Sequence, residues 1–199
     1  ERVCLIQIGF DGVAFLVDPL AIDDMGALGK VLADSKIEKI LHSADYDVRS
    51  LDRDWGFRID RLFDTSIAAA FVGMERLGLG TVAQELLGVE LPKSKRLQRA
   101  NWGLRPLTEE AINYAAGDVL HLMALRDVLG KRLAEKGRTE WVAEECARLA
   151  GVRFNTPDPA LAFLSVKGSK GFDGKALAVL RLLHAYRERE ALRRDVPPF

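Results

Sequence analysis

Tyr114 and Asp118 are two residues whose types and spacing suit metal-assisted chemistry. They lie four positions apart in a strongly helix-forming segment, so the phenol and the carboxylate share one face of a helix. The neighbours of Asp118 include Ala115, Val119 and Leu122, which are small or apolar. A carboxylate in such surroundings has to be paired, hydrogen-bonded or bound to a metal. The pair therefore predicts an acid that holds a metal ion beside a phenol that orients a water, although Tyr114 alone would be a core aromatic in most proteins.

A second candidate acid, Asp47, lies where a predicted strand gives way to a helix, in the segment His-Ser-Ala-Asp-Tyr-Asp at residues 42–47. Sites in α/β sheets commonly lie at such strand ends. Two interpretations stay open, because an aspartate in the first turn of a helix is also favoured by the helix dipole alone. The three histidines, His42, His121 and His184, form no cluster with metal-ligand spacing.

A run of basic residues without any acidic residue precedes Tyr114. Its members, together with one tryptophan, are Lys93, Lys95, Arg96, Arg99, Trp102 and Arg105. Cations of this kind can contact the phosphates of a nucleic acid, and an indole ring can stack on unpaired bases. The alternative is an exposed loop whose charges do nothing specific. The position of the run before Tyr114 favours the nucleic-acid interpretation.

The composition is that of a globular protein able to bury a core, with 199 residues of which 48% are hydrophobic. No apolar run approaches the length of a membrane span. Cys4 and Cys146 lack metal-ligand spacing, which predicts two buried, reduced thiols in a cytosolic protein. The net charge is zero, but residues 1–150 carry −4 and residues 151–199 carry +4. A mildly acidic body with a basic tail fits a metal-dependent site joined to a nucleic-acid-binding appendage.

Strands that alternate with helices predict a mixed α/β sheet opened by a hairpin, whose turn is Asp11-Gly12. The predicted strands cover residues 3–10, 13–17, 36–41 and 62–63. The predicted helices cover residues 23–33, 44–55, 65–72, 79–87, 108–135, 138–150 and 175–194, with a loop over 90–106. Asp23, Asp64 and Thr108 are the expected N-terminal caps, and Gly88 ends the fourth helix.

The predicted organisation is a catalytic domain over residues 1–150, a linker over 151–174 and the beginning of an all-helical domain over 175–199. The linker is rich in glycine and proline and has one short helix near residues 160–164. The last helix cannot bury its apolar face by itself, so we expect it to be the first piece of a truncated domain.

Taken together, these motifs resemble the ribonuclease D family. The Arg-Pro-Leu-Thr segment at residues 105–108, followed by residues 114–119, is similar to the third exonuclease motif of that family. Residues 42–47, followed by Asp64-Thr65, resemble its second motif. Residues 3–9 resemble the strand after its first motif, and residues 175–190 resemble the start of its helicase-and-RNase-D C-terminal (HRDC) domain. The resemblance covers nearly the whole chain with the motifs in order.

The resemblance implies a ribonuclease-H-like fold, a mixed sheet flanked by helices, with 3′→5′ exonuclease activity of the DEDD type with tyrosine. In such enzymes four carboxylates hold two divalent ions, Mg²⁺ or Mn²⁺. Asp47 and Asp118 would be the third and fourth acids, and Tyr114 would orient the attacking water. The resemblance further implies a cytoplasmic enzyme that acts on single-stranded RNA 3′ ends, tRNA precursors among them, and releases nucleoside 5′-monophosphates.

The first two acids of the family, an Asp-x-Glu, would lie before Val3, and neither Asp11 nor Asp18 has a glutamate two residues later. We therefore expect a fragment that lacks the first, central strand of the sheet and is inactive alone. Two other functions stay open. One is a catalytically inactive nucleic-acid-binding module, and the other is a 3′→5′ exonuclease that acts on DNA.

Overall fold

The computed structural model describes residues 2–92, 94–155, 158–194 and 196 of the chain. The chain divides into two compact units, residues 1–154 and residues 155–199. The boundary lies four residues beyond the predicted end of the first domain, and the predicted linker falls almost entirely in the second unit. The larger unit contains the four strands and the first eight α-helices of the described residues.

The chain opens with an antiparallel hairpin formed by β1 (Ile6–Phe10) and β2 (Val13–Val17), which are paired along their whole length. Asp11 and Gly12 have φ angles of 50° and 75°. Positive φ at both central residues gives a two-residue turn whose twist matches that of the strands. The predicted hairpin is confirmed, although β1 begins three residues late because the Val3 amide donates to a side-chain carboxylate instead of the neighbouring strand.

The second pair of strands is β3 (Lys39–Leu41) and β4 (Leu62–Asp64), which are parallel and are joined through α2 (Asp45–Trp55). A parallel pair needs such a crossover connection. Within the described residues, each pair of strands is hydrogen-bonded only within itself. The α/β class is confirmed, but the expected single mixed sheet is here two separate two-stranded sheets, since no described strand lies between the pairs.

Most of the predicted helices are present within one or two residues of their expected ends. The remaining helices are α1 (Gly26–Ala33), α3 (Thr65–Val72), α4 (Leu79–Leu87), α5 (Lys95–Gln98), α6 (Glu109–Leu120), α7 (Leu122–Glu135), α8 (Thr139–Ala150) and α9 (Gly174–Arg194). The structure corrects two details. Asp23 does not cap α1, because Asp24 accepts the Gly26 amide instead. The basic run contains the short helix α5, capped by the Ser94 hydroxyl, and is not loop throughout.

The predicted helix over residues 108–135 is broken at His121 into α6 and α7. The two parts have different packing partners, because α6 lies against β1 and β2 whereas α7 packs on α3, α4 and β3. Leu125, Leu129 and Leu133 form a fully buried stripe along α7, at the spacing of one helix face. The break at His121 lets α6 pack on the hairpin while α7 packs on α3, α4 and β3.

The smaller unit contains two short 3-10 helices, Ala162–Ser165 and Ser169–Gly171, followed by α9. The predicted short helix near residues 160–164 is therefore a 3-10 helix, and it packs against α9. No helix in the described part of the chain is long and apolar enough to cross a membrane. Both cysteines are free, with Cys146 buried and Cys4 only half-buried.

Candidate active site

Helix α6 places Tyr114 and Asp118 on one face, as their spacing predicts. The Thr108 hydroxyl accepts the Ala111 amide at 3.2 Å, so the predicted cap is confirmed and the helix has a defined start. Ala115, between the two, is fully buried, whereas Tyr114 and Asp118 are half-buried. The two polar side chains therefore lie at the margin of the packed face of α6.

Close packing against the hairpin fixes the position of α6. A Cβ atom added at Gly9 in β1 would lie 2.7 Å from the Val119 carbonyl oxygen, which is closer than real Cβ atoms approach. Only glycine at this position lets the strand and the helix come together without displacement. Because Val119 is the residue after Asp118, this contact also determines where the Asp118 carboxylate lies.

Asp118 is a half-buried carboxylate for which the described residues supply no hydrogen-bond donor and no cation. Burial raises the pKa of its carboxyl group above the usual value. A carboxylate that is partly removed from water and has no partner in the protein is able to take a metal ion as its partner.

Asp47 lies in the first turn of α2 and keeps access to solvent. The pKa of its carboxyl group is raised to about 6, first because surrounding protein atoms displace water and second because of the nearby charge of Asp64. No hydrogen bond or charge interaction links Asp47 with Asp118 among the described residues. In the same part of the chain, no group of three or more histidine, cysteine or acidic side chains could hold a metal ion.

Trp102 lies beside Tyr114, with ring centroids 6.3 Å apart and the rings tilted by 34°. The indole nitrogen of Trp102 donates to the Leu97 carbonyl oxygen at 3.1 Å, which fixes the orientation of the ring. The two aromatic rings form one half-buried patch next to the candidate acid on α6. Such a patch offers a π-face on which a base could stack.

The predicted basic residues differ in what their charges contact. Lys95 and Arg99 are exposed and have no ion pair among the described residues. Arg96 forms an exposed ion pair with Glu110 in the first turn of α6. Lys93 lies outside the described residues.

The guanidinium group of Arg105 is fully engaged within the protein. It donates to both carboxylate oxygens of Asp18 at 2.6 and 2.7 Å, and to the Cys4 carbonyl oxygen at 2.7 Å. It also donates to the carbonyl oxygens of Trp102 and Leu104 at 2.8 and 2.9 Å. Arg105 thus ties the loop before α6 to the segments at either end of the hairpin, a structural task that the sequence did not reveal.

A cavity of about 720 Å³ lies elsewhere, between β4, α7 and α8. Its lining includes Cys146, Leu133 and Phe63 but neither Asp47 nor the pair on α6.

The sequence predicted Asp64 only as the cap of α3. It did not predict that the Asp64 carboxylate also accepts the amides of Ser43 and Ala44 before α2. The signal for these further bonds was an aspartate directly after the predicted strand over residues 62–63.

Comparison with known proteins identifies the family of this site. Residues 1–134, which include Asp47, Tyr114 and Asp118, match a family model described as 3′-5′ exonuclease. The chain belongs to this 3′-5′ exonuclease family. Ribonuclease D of Pseudomonas paraeruginosa is 37% identical to this chain over 194 residues, which cover 97% of this chain and 51% of that protein. The chain spans about half the length of the curated ribonuclease D relatives it matches.

Solved structures of relatives have the same fold. The chain superimposes on Escherichia coli RNase D, an exoribonuclease involved in structured RNA processing, with a TM-score of 0.78 and 32% identity over 98% of this chain and 52% of that one. Brucella melitensis NrnC with bound Mg²⁺ matches with a TM-score of 0.68 and 31% identity, over 75% of this chain and 73% of that one. The resemblance to ribonuclease D noted from the motifs is confirmed.

Proposed function

We propose that this chain contributes to a metal-dependent 3′→5′ exoribonuclease of the ribonuclease D type. The observation that carries the proposal is the half-buried carboxylate of Asp118, four residues after Tyr114 on α6, which has no hydrogen-bond donor or cation among the described residues. Membership of the 3′-5′ exonuclease family and the Mg²⁺ bound to the related NrnC support it. The proposed substrate is the 3′ end of single-stranded RNA, tRNA precursors among them, in the cytoplasm, with nucleoside 5′-monophosphates as products.

Asp118 and Asp47 are the residues that would hold divalent metal, Mg²⁺ or Mn²⁺. Both present carboxylate oxygens, which these hard cations prefer, and burial raises the pKa of each carboxyl group, so a bound cation would stabilise its ionised form. Two such ions, when bound, activate a water and neutralise the leaving 3′ oxygen. Further ligands have to come from outside the described residues, since these form no set of three.

The remaining steps fall to side chains of this chain. Tyr114 would orient the attacking water with its hydroxyl group, and its ring is held beside the fixed indole of Trp102. The Trp102 ring would stack on a base near the 3′ end. Lys95 and Arg99 are exposed cations that would contact phosphates of the RNA backbone, and Lys93 is a further candidate.

We further propose that residues 175–199 belong to an HRDC-type domain that assists RNA binding. Helix α9 covers these residues up to Arg194 and leaves Leu182, Leu183 and Tyr186 exposed. An amphipathic helix with so much exposed apolar surface needs other helices to cover it.

The proposal is tested with Asp118→Ala in the natural protein that contains this sequence, assayed on 5′-labelled single-stranded RNA with Mn²⁺. We expect loss of hydrolysis by at least about 1,000-fold with RNA binding retained, because a ligand of the catalytic ions is removed. Asp127→Ala is the matched control, since Asp127 is an exposed aspartate of the neighbouring helix α7. Full activity of Asp118→Ala would contradict the proposal.

Tyr114→Phe tests the role of the phenol hydroxyl. We expect turnover to fall by about 100-fold while the fold and the RNA affinity are kept, because positioning a proton-transfer or water-orienting group contributes on this scale. Tyr46→Phe, at an exposed tyrosine of α2, is the control and should leave turnover unchanged. Matched RNA and DNA strands in the same assay separate an RNA enzyme from a DNA exonuclease, and binding without cleavage of either would indicate a binding module.

A further inference from the structure

The carboxylate of Asp64 ties together two segments that are distant in sequence. Asp64 lies at the end of β4 and is completely inaccessible to solvent. It accepts the amides of Ser66 at 2.8 Å and Ile67 at 3.2 Å, which are free donors in the first turn of α3. It also accepts the amides of Ser43 at 3.1 Å and Ala44 at 2.7 Å, directly before α2. One buried carboxylate thus satisfies four backbone donors from two helix starts.

The two oxygens of Asp64 divide this work unequally. Among the residues that the structure describes, Oδ1 accepts the amides of Ser43, Ser66 and Ile67, whereas Oδ2 accepts only the amide of Ala44. Ala44 precedes α2 and has no side-chain acceptor that could cap the helix. The Oδ2 contact is therefore the specific link between Asp64 and the start of α2.

A second set of contacts holds the same loop. The Thr65 hydroxyl donates to the Leu41 carbonyl oxygen at 3.1 Å, so its oxygen accepts from Nδ1 of His42 at 2.8 Å. Ser43 has a φ angle of 57°, a conformation that costs free energy for any residue except glycine. A loop held in such a conformation requires specific bonds, and Asp64 and Thr65 supply them.

We infer that Asp64 is a positioning residue that fixes the start of α2 and thereby directs the Asp47 carboxylate toward the metal. Asp47 lies three residues after Ala44, within one helical turn of the amide that Oδ2 holds. The inference rests on the proposed function, since fixing the start of α2 affects metal binding only if Asp47 is a metal ligand. Replacing a group that orients a metal ligand typically lowers metal affinity or activity by about 10- to 100-fold.

The variant Asp64→Asn separates the positioning of α2 through the Ala44 amide from the capping of α3. Asparagine has the same shape, and its amide oxygen in place of Oδ1 would keep the three bonds to Ser43, Ser66 and Ile67. Its amide nitrogen would then face the Ala44 amide, so that two donors oppose each other. The variant therefore perturbs the start of α2 while it keeps the cap of α3, and it also removes the Asp64 charge that raises the pKa of Asp47.

The test measures Mn²⁺ binding to the natural protein directly by titration calorimetry, alongside the Mn²⁺ dependence of RNA hydrolysis. For Asp64→Asn we expect the Mn²⁺ concentration at half-maximal rate to rise by about 10- to 100-fold, with the KM for RNA unchanged. Val142→Ala, which removes buried volume from α8, serves as the control for loss of stability alone. A wild-type Mn²⁺ dependence in Asp64→Asn would overturn the inference.

Two further measurements keep the outcomes distinct. Asp47→Ala is assayed in parallel, and retention of its activity would refute the proposed function itself, whatever Asp64→Asn does. If Asp64→Asn does not fold, the hydrogen-exchange rate of the Ala44 amide in the wild-type protein tests whether Asp64 holds the start of α2. The Ala44 amide is then expected to exchange as slowly as the amides of α3 although it lies outside a helix, and rapid exchange would overturn the inference.

Discussion

Replacing Asp47 by asparagine should change how the stability of the metal-free chain depends on pH. The folded chain raises the pKa of Asp47 from 3.8 to about 6. The folded state therefore binds this proton more tightly than the unfolded state, and the ionised group costs stability as the pH rises through this range. Asparagine carries no charge and does not experience this cost.

The size of the effect follows from the two pKa values. At about 1.36 kcal/mol per pKa unit, the difference between 3.8 and about 6 corresponds to about 3 kcal/mol. Because Asp47 is exposed to solvent, water screens the interaction, and about 1–1.5 kcal/mol is the appropriate expectation. The stability of Asp47→Asn relative to wild type should thus improve by about 1 kcal/mol between pH 4.5 and pH 7.5.

Urea unfolding followed by circular dichroism, with EDTA present, measures this difference at each pH. Asp45→Asn is the control, because Arg49 holds the pKa of Asp45 below its usual value and the sign of the pH effect is reversed. In a parallel series without EDTA, Mg²⁺ should stabilise the wild type more than Asp47→Asn, because the proposed site exists only in the folded state. A pH-independent difference between Asp47→Asn and wild type would refute the reasoning.

Three further predictions concern the segments that position the candidate site. Gly9→Ala should lower the free energy of unfolding by about 1–3 kcal/mol, because its Cβ would clash with the Val119 carbonyl oxygen, and urea unfolding measures this. Arg105→Ala should lower Tm more than Arg96→Ala, because five hydrogen bonds are lost in place of one exposed ion pair. Equal shifts in Tm would contradict the structural role assigned to Arg105. Ser43→Gly should raise the free energy of unfolding by about 0.5–1 kcal/mol, since glycine adopts positive φ without strain, and a lower Tm would contradict this.

Local chemistry in the sequence predicted those parts of the fold that neighbouring residues determine. Asp11-Gly12 gave the hairpin because both residues accept positive φ, and Thr108 gave the start of α6 because its hydroxyl reaches the Ala111 amide. The break at His121 could not be predicted in this way. It arises because α6 and α7 pack on different surfaces, and no glycine or proline marks the place.

In the candidate site, too, the features that depend on neighbouring residues were predictable, and those that depend on distant residues were not. The spacing of Tyr114 and Asp118 is a property of one helix, so their common face was predictable. The Arg105 guanidinium group forms an ion pair with Asp18, which is 87 residues away, and no local sequence pattern reveals this pairing. The same holds for Asp64, whose cap on α3 was predicted while its bond to Ala44 was not. Roles that depend on distant partners emerge only once the chain is folded.

The central claim is that Asp118 and Asp47 serve a metal-dependent hydrolysis that begins at the 3′ end of RNA. Its most direct test is to follow 5′-labelled single-stranded RNA with Mn²⁺, using the natural protein and its Asp118→Ala variant. The account predicts a ladder that shortens from the 3′ end one nucleotide at a time, with EDTA and Asp118→Ala each abolishing it. Internal cleavage, or shortening that persists in Asp118→Ala, would contradict the account.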